Sequence, residues 1–127
     1  MQNADKKSVL VVDDEEIIRS FLADVLGGTF DVTLVADGDE AIDQLNRRRF
    51  DLIITDLKMQ RVQGEEVVKF ARQQDPDARV IVISGFSSLY TVARSINHGA
   101  CAFLSKPFSI KELMRVVDEA VYKEVRS

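Results

Sequence analysis

The chain has 127 residues, 46% hydrophobic and 30% charged, and its 17 Lys and Arg against 21 Asp and Glu leave a formal net charge of −4. That length suits one globular domain (1–127, core about 7–124) and excludes a second full domain, while the acidic balance argues against direct nucleic-acid binding and against attraction to an anionic membrane surface. A single cysteine, Cys101, excludes an internal disulfide, and no apolar run approaches the roughly 18 residues of a membrane span or has the form of a signal peptide, so a reducing cytoplasm is the expected location.

Ser8 to Val12 is β-branched and apolar, the pattern of a buried strand, and it ends in Asp13-Asp14-Glu15-Glu16. Ile17, Ile18, Phe21, Leu22, Val25 and Leu26 then recur at helical spacing, and Gly27-Gly28 stops the helix. Phe30 to Val35 is a weaker strand, followed by Asp37-Gly38 and a short helix with Ala41, Ile42 and Leu45 on one face, ending in Arg47-Arg48-Arg49. The next strand, Asp51 to Met59, is an aliphatic run that delivers one carboxylate, Asp56, at its end. A polar loop from Gln60 to Gly64 leads to a third helical stripe of Val67, Val68 and Ala71, closed at Asp75-Pro76 because the residue before proline is pushed out of helical geometry. Val80 to Ile83 is a fourth strand running into Ser84-Gly85, and Leu89, Val92, Ala93 and Ile96 form a helical stripe with Gly99 at its C-cap. The fifth strand, Cys101 to Ser105, ends in Lys106-Pro107. Ser109 to Glu112 has the S-x-x-E capping-box form, opening a last helix with Ile110, Leu113, Val116, Val117, Ala120 and Val121 on its buried face.

Five strands alternating with five helices predict stacked βαβ units, hence an α/β doubly wound parallel sheet with helices on both faces. Ligands of such sheets bind outside the carboxyl ends of the strands at the switch point of the winding. Four strands end in groups able to do chemistry: Asp13 and Asp14, Asp56, Ser84, and Lys106. The second ends in Val35-Ala36, which places it at the sheet edge, away from the site. Carboxylates drawn together repel and require either protonation or a bound cation, and hard oxygen ligands without His or Cys favour Mg2+. A metal beside a carboxylate, with a lysine and a hydroxyl facing it, is an apparatus for phosphoryl transfer in which Asp56 is the nucleophile, Lys106 holds one phosphoryl oxygen and Ser84 hydrogen-bonds another.

The order Asp-Asp, Asp, Ser, Lys-Pro across five βα units closely resembles response-regulator receiver domains, over nearly the whole chain. The resemblance implies a flavodoxin-like strand order of 2-1-3-4-5. It implies that Asp56 is the phospho-acceptor, that Asp13, Asp14, Asp56 and the backbone carbonyl of Lys58 bind Mg2+, and that Lys106 senses the phosphate. It further implies Ser84 as switch hydroxyl, Phe103 as switch aromatic and a cis peptide between Lys106 and Pro107. The phosphoryl group would come from the phosphohistidine of a sensor histidine kinase or phosphotransfer protein, or from a small phosphodonor. Output would pass through the fourth helix, fifth strand and fifth helix, about Leu89 to Val121, to an effector domain or protein. The domain would take part in its own phosphorylation and dephosphorylation without being a multiple-turnover enzyme.

The chain departs from that pattern at Gln60, where proline is common, and at Cys101-Ala102, where many DNA-binding receivers carry an acidic pair that supports their dimer. Lys58 places a long cation two residues after the acceptor, where it would shield an acyl phosphate from in-line water. Three other functions compete. A Mg2+-dependent phosphohydrolase would need an acid at the position of Lys58. A flavin or nucleotide module would need a glycine-rich phosphate loop that is absent. A receiver-like docking module that accepts no phosphate would not need the full residue set. Taken singly, Asp13 to Glu16 reads as an acidic helix start, Asp56 and Ser84 as turn residues, Phe103 as core, and Arg47 to Arg49 as a cationic helix end. His98 reads as a surface or capping residue and Cys101 as a small packed side chain.

Overall fold

The computed structural model describes residues 6–59, 62–85 and 88–122. Among them five strands alternate with five helices: β1 (Ser8–Val12), α1 (Glu16–Leu26), β2 (Asp31–Val35), α2 (Gly38–Arg47), β3 (Leu52–Asp56), α3 (Gly64–Gln74), β4 (Val80–Ser84), α4 (Leu89–Asn97), β5 (Ala102–Ser105) and α5 (Ile110–Tyr122). All neighbouring strands run parallel, in the order β2-β1-β3-β4-β5. The α/β doubly wound class is therefore as the sequence pattern predicts, and the strand order is the one that the resemblance to receiver domains implies. The chain winds outward from β1 to β2, then crosses back to β3 on the other side of β1, so the switch point lies at the carboxyl ends of β1 and β3.

Alternation along each strand feeds two cores. Leu10, Ile53, Val80 and Val82 meet Ala41 of α2 and Val67, Val68 and Ala71 of α3, whereas Val9, Val11, Ile54, Ile81 and Ile83 meet Leu22 and Leu26 of α1 and Leu113 and Val117 of α5. Both faces of the central strands are covered, which is why Leu52 to Ile54 and Val80 to Ile83 are unbroken aliphatic runs, with polar residues only at the carboxyl ends of β3 and β4. Each fully buried Val, Leu or Ile contributes roughly 1.5–3 kcal/mol of transfer free energy, so the polar Asp13, Asp56 and Ser84 at the strand ends are retained against the trend of their surroundings.

Helix ends follow the local chemistry of the chain. Ser109 and Glu112 form a reciprocal capping box, with Glu112 N–H donating to Ser109 Oγ and Ser109 N–H to Glu112 Oε1, both at 3.0 Å. The Ser88 hydroxyl accepts from Thr91 N–H at the start of α4. Gly99 sits at φ 111°, the left-handed turn that lets the chain leave α4 for β5. The rim of the sheet opposite the switch point is fastened by a clasp: Ser8 N–H donates to Asp51 Oδ2 at 2.8 Å, and Asp51 N–H returns a bond to Ser8 O at 3.0 Å. On the same rim the Arg79 guanidinium donates to the carbonyl of Val121.

Five residues assigned to helical stripes are exposed: Ile17 (76%), Leu89 (86%), Ala93, Ile96 (45%) and Ile110 (53%). Ile17, Leu89 and Ile110 lie in the first turn of their helices, which in a βα unit stands at the carboxyl rim of the sheet. Ala93 and Ile96 are exposed because α4 turns Ser95 inward and leaves most of its apolar stripe uncovered. Cys101 also differs from expectation. It precedes β5 and is exposed as a residue, though its thiol donates to Val80 O at 3.4 Å and partial burial pushes the thiol pKa up. The arginine run is partnered throughout: Arg47 with Asp43, Arg48 over the Phe50 ring and Arg49 with Asp75. His98 is the C-cap of α4.

Candidate functional site

Asp13 follows β1 directly and is fully buried. Its backbone N–H continues the ladder to Val35 O at 3.2 Å, its carbonyl accepts from Arg19, and its Oδ1 accepts from Glu15 N–H at 2.8 Å. Those bonds fix the carboxylate and leave Oδ2 buried with no hydrogen-bond partner. Asp56, the last residue of β3, is 7% exposed, and its Oδ1 accepts from Leu57 N–H at 2.7 Å. The register of β1 against β3 pairs Val12 with Thr55, one residue before each acid, so the parallel sheet sets Asp13 and Asp56 side by side.

Lys106 joins them. Its Nζ lies 3.1 Å from Asp56 Oδ2, 3.2 Å from Asp13 Oδ2 and 2.9 Å from Glu15 Oε1. The contact with Asp13 is within ion-pair range but is not aligned as a hydrogen bond, which is consistent with the orphaned Oδ2. The lysine leaves β5 at the place set by the pairing of Ser84 with Ser105, its backbone N–H donating to Ser84 O at 2.9 Å, and the following peptide to Pro107 is cis. Burial alone would lower the pKa of this ammonium, but the hydrogen bonds to Glu15 and Asp56 and the charges of Asp13 and Asp56 outweigh it and raise it. For Asp13 burial dominates and raises the carboxyl pKa, against the lowering effect of the Glu15 N–H.

Ligand oxygens of Asp13, Glu15 and Asp56 lie within 4.8 Å of one another, two of the residues buried. One cation shared among three carboxylates leaves excess negative charge, and a buried carboxylate oxygen without a donor is the kind of atom a hard divalent cation completes. The donor set is all oxygen, so the residues fit Mg2+ and not zinc.

Not every predicted residue enters this cluster. Asp14 is exposed and outside the three, and Lys58, at the start of the β3–α3 loop, is exposed. Gln60 lies outside the described residues. Ser84 is buried at the end of β4 and, with Leu57, Lys58 and Tyr90, lines a hollow between the β3–α3 loop and α4. Phe103 is half-buried on β5, packed against the core that contains Met59 and Val82. Two residues escaped the sequence reading. Glu15 is the N-cap of α1 but makes no side-chain cap bond; its carboxylate goes to Lys106 instead. Gly64 is needed because a Cβ there would stand 2.0 Å from Asp56 O. For Glu15 the signal is an acidic run longer than a helix start requires; for Gly64 no local signal exists.

The family model of the response regulator receiver domain matches residues 9–118. The chain belongs to that family. It is 32% identical over 117 residues to the response regulator protein PilR of Pseudomonas aeruginosa, an alignment covering 91% of this chain and 26% of PilR. Among solved structures it resembles a CheY-like receiver domain protein from Methanospirillum hungatei (TM-score 0.87, 26% identity, covering 91% of this chain and 94% of that one). It also resembles the Francisella response regulator 1452 receiver domain (TM-score 0.84, 31% identity, covering 91% and 97%). The chain spans about a quarter of the length of PilR-type regulators. Receiver domains are signalling domains of two-component systems, and phosphorylation and Mg2+ binding are typical of them. No helix among the described residues is long and apolar enough to cross a membrane.

Proposed function

We propose that this receiver accepts a phosphoryl group on Asp56 from the phosphohistidine of a sensor kinase or phosphotransfer protein, and that Ser84 and Phe103 pass the change to α4, β5 and α5. The observation that carries this reading is the convergence of Asp13, Glu15 and Asp56 on the single cation of Lys106.

A carboxylate oxygen of Asp56 attacks phosphorus, the P–N bond of the donor breaks, and its electron pair leaves with the imidazole. Mg2+, held by Asp13, Asp56 and the Lys58 carbonyl with Asp14 or Glu15 in support, would neutralise charge on the transferring group. Leu57 N–H holds Asp56 in a fixed orientation, which reduces the entropy cost of attack. Lys106 is fixed at its backbone by Ser84 O and carries its charge to where phosphoryl oxygens develop negative charge. Once Asp56 carries the phosphoryl group as an acyl phosphate, its interaction with Lys106 passes to the phosphoryl oxygens. Ser84, buried at the end of β4, then moves toward the new acceptor, and Phe103 turns into the space vacated.

The donor has an apolar landing surface. Exposed Ile17 lies with Ile18, Phe21, Pro107 and Phe108 around a hollow that includes Lys106 and Glu15. A contiguous apolar patch at the mouth of the site suits a protein donor that brings its histidine to Asp56. Leu89, Tyr90 and Ile96, exposed on α4, offer a separate apolar face for output.

Incubation with acetyl phosphate and Mg2+, followed by intact mass, tests the central step. A gain of one phosphoryl group is expected, abolished by Asp56→Asn and by removal of the metal. No gain, in parallel with a reactive receiver, or a gain persisting in Asp56→Asn, overturns it.

A further inference from the structure

The loop from Asp56 to α3 is closed by bonds that the phosphoryl chemistry does not account for. Gln63 embraces Met59 from both sides: its Oε1 accepts from Met59 N–H at 3.0 Å and its Nε2 donates to Met59 O at 2.8 Å. Gly64 N–H donates to Leu57 O at 2.8 Å, and Val62 N–H donates to Asp37 Oδ2 at 3.1 Å, tying the far end of the loop to the start of α2. Gln63 is the N-cap of α3, yet its side chain makes no cap bond, so its amide is committed to the loop instead of to the helix.

Met59 N–H and Lys58 C=O belong to one peptide group. Lys106–Pro107 is the cis bond among the described residues, so the Lys58–Met59 peptide is trans and its carbonyl points opposite to its N–H. Holding Met59 N–H on Gln63 Oε1 therefore fixes the direction of the Lys58 carbonyl, while the second bond to Met59 O prevents the residue from rocking about that contact. A free loop peptide can rotate through φ and ψ on either side, and each such rotation would turn the carbonyl away from a fixed direction. The bidentate amide removes that freedom where the chain has Gln60 and no proline to restrict it.

We propose that Gln63 is a positioning residue for the divalent-cation site: through Met59 it orients the Lys58 carbonyl as a ligand. This rests on the reading above that the Lys58 carbonyl binds Mg2+. Residues that orient a ligand from behind it commonly change metal affinity by about 10- to 100-fold when removed.

The test measures Mg2+ affinity of the unphosphorylated protein by calorimetry, in 0.5 M salt to screen added charge, together with hydrogen exchange of the Met59 amide. Gln63→Ala is expected to weaken Mg2+ at least tenfold and speed Met59 exchange. Gln63→Glu, which retains an acceptor for Met59 N–H, is expected to recover most of the affinity. Circular dichroism confirms that each variant is folded. Binding by Gln63→Ala within twofold of the parent overturns the proposal, as does a Gln63→Glu protein no better than Gln63→Ala. Asp13→Asn separates the two levels. If the parent binds Mg2+ and Asp13→Asn does not, the site stands whatever Gln63 does; if the parent fails to bind, both the site and its positioning fall.

Discussion

Lys106 Nζ stands 3.1 Å from Asp56 Oδ2, in the space among three carboxylates where a divalent cation would also be drawn. The ammonium and the metal compete for the same negative charge. Lys106→Met is expected to raise Mg2+ affinity several-fold while slowing labelling by acetyl phosphate. Without metal the variant should lose about 3 kcal/mol of stability, since Asp13 and Asp56 remain as uncompensated buried acids, and millimolar Mg2+ should restore much of it. Calorimetry and thermal melts with and without Mg2+ read both effects.

Gly64 tolerates no side chain. An added Cβ would meet Asp56 O at 2.0 Å and the Leu57 Cα at 2.9 Å, both rigid backbone next to the acceptor. Gly64→Ala is expected to cost about 3 kcal/mol by urea denaturation and to impair labelling of Asp56 in whatever folded fraction remains. An alanine variant of parental stability and labelling contradicts the geometry.

Glu65 of α3 and Arg94 of α4 form a two-point ion pair at 2.7 and 3.1 Å. The hydrogen bond from Arg94 is the main cause that lowers the Glu65 pKa below the usual 4.5. A lowered folded-state pKa means that the pair's contribution is fully present above the unfolded value and is lost as pH falls through the folded one. Glu65→Gln should therefore melt lower than the parent at pH 7, and the difference should close as pH falls below 4.5. A constant difference down to strong acid would assign the effect to packing.

Ile17 is 76% exposed beside the mouth of the site, so changing it should leave the fold intact. Ile17→Asp is expected to slow transfer from a phosphorylated kinase about tenfold, with labelling by acetyl phosphate unchanged. Equal slowing with both donors would place the defect in the chemistry instead of in docking.

The strands were legible because full burial on both faces forces an unbroken aliphatic run, as in Val80 to Ile83, and the site was legible because Asp13, Asp56, Ser84 and Lys106 interrupt such runs at their ends. The residues that escaped share a different physics. A helical stripe says that Ile17 and Ile110 share faces with core residues, but not that the first turn overhangs the sheet, and it does not say that the stripe from Leu89 to Ile96 is left mostly exposed on α4. Glu15 needed the three-dimensional place of Lys106, 91 residues later, before its carboxylate acquired a partner. Gly64 matters only because the chain doubles back onto Asp56, and Gln63 only because Met59 lies within reach of its amide.

The Ser8–Asp51 clasp lies at the opposite end of the sheet from Asp56, at the starts of β1 and β3, the two strands whose far ends carry Asp13 and Asp56. Fastening is thus concentrated at one rim and charge crowding at the other. A receiver arranged in this way can exchange acids, lysines and loop residues around its acceptor, and so change how fast a signal is set and erased, without loosening the rim that keeps its strands in register.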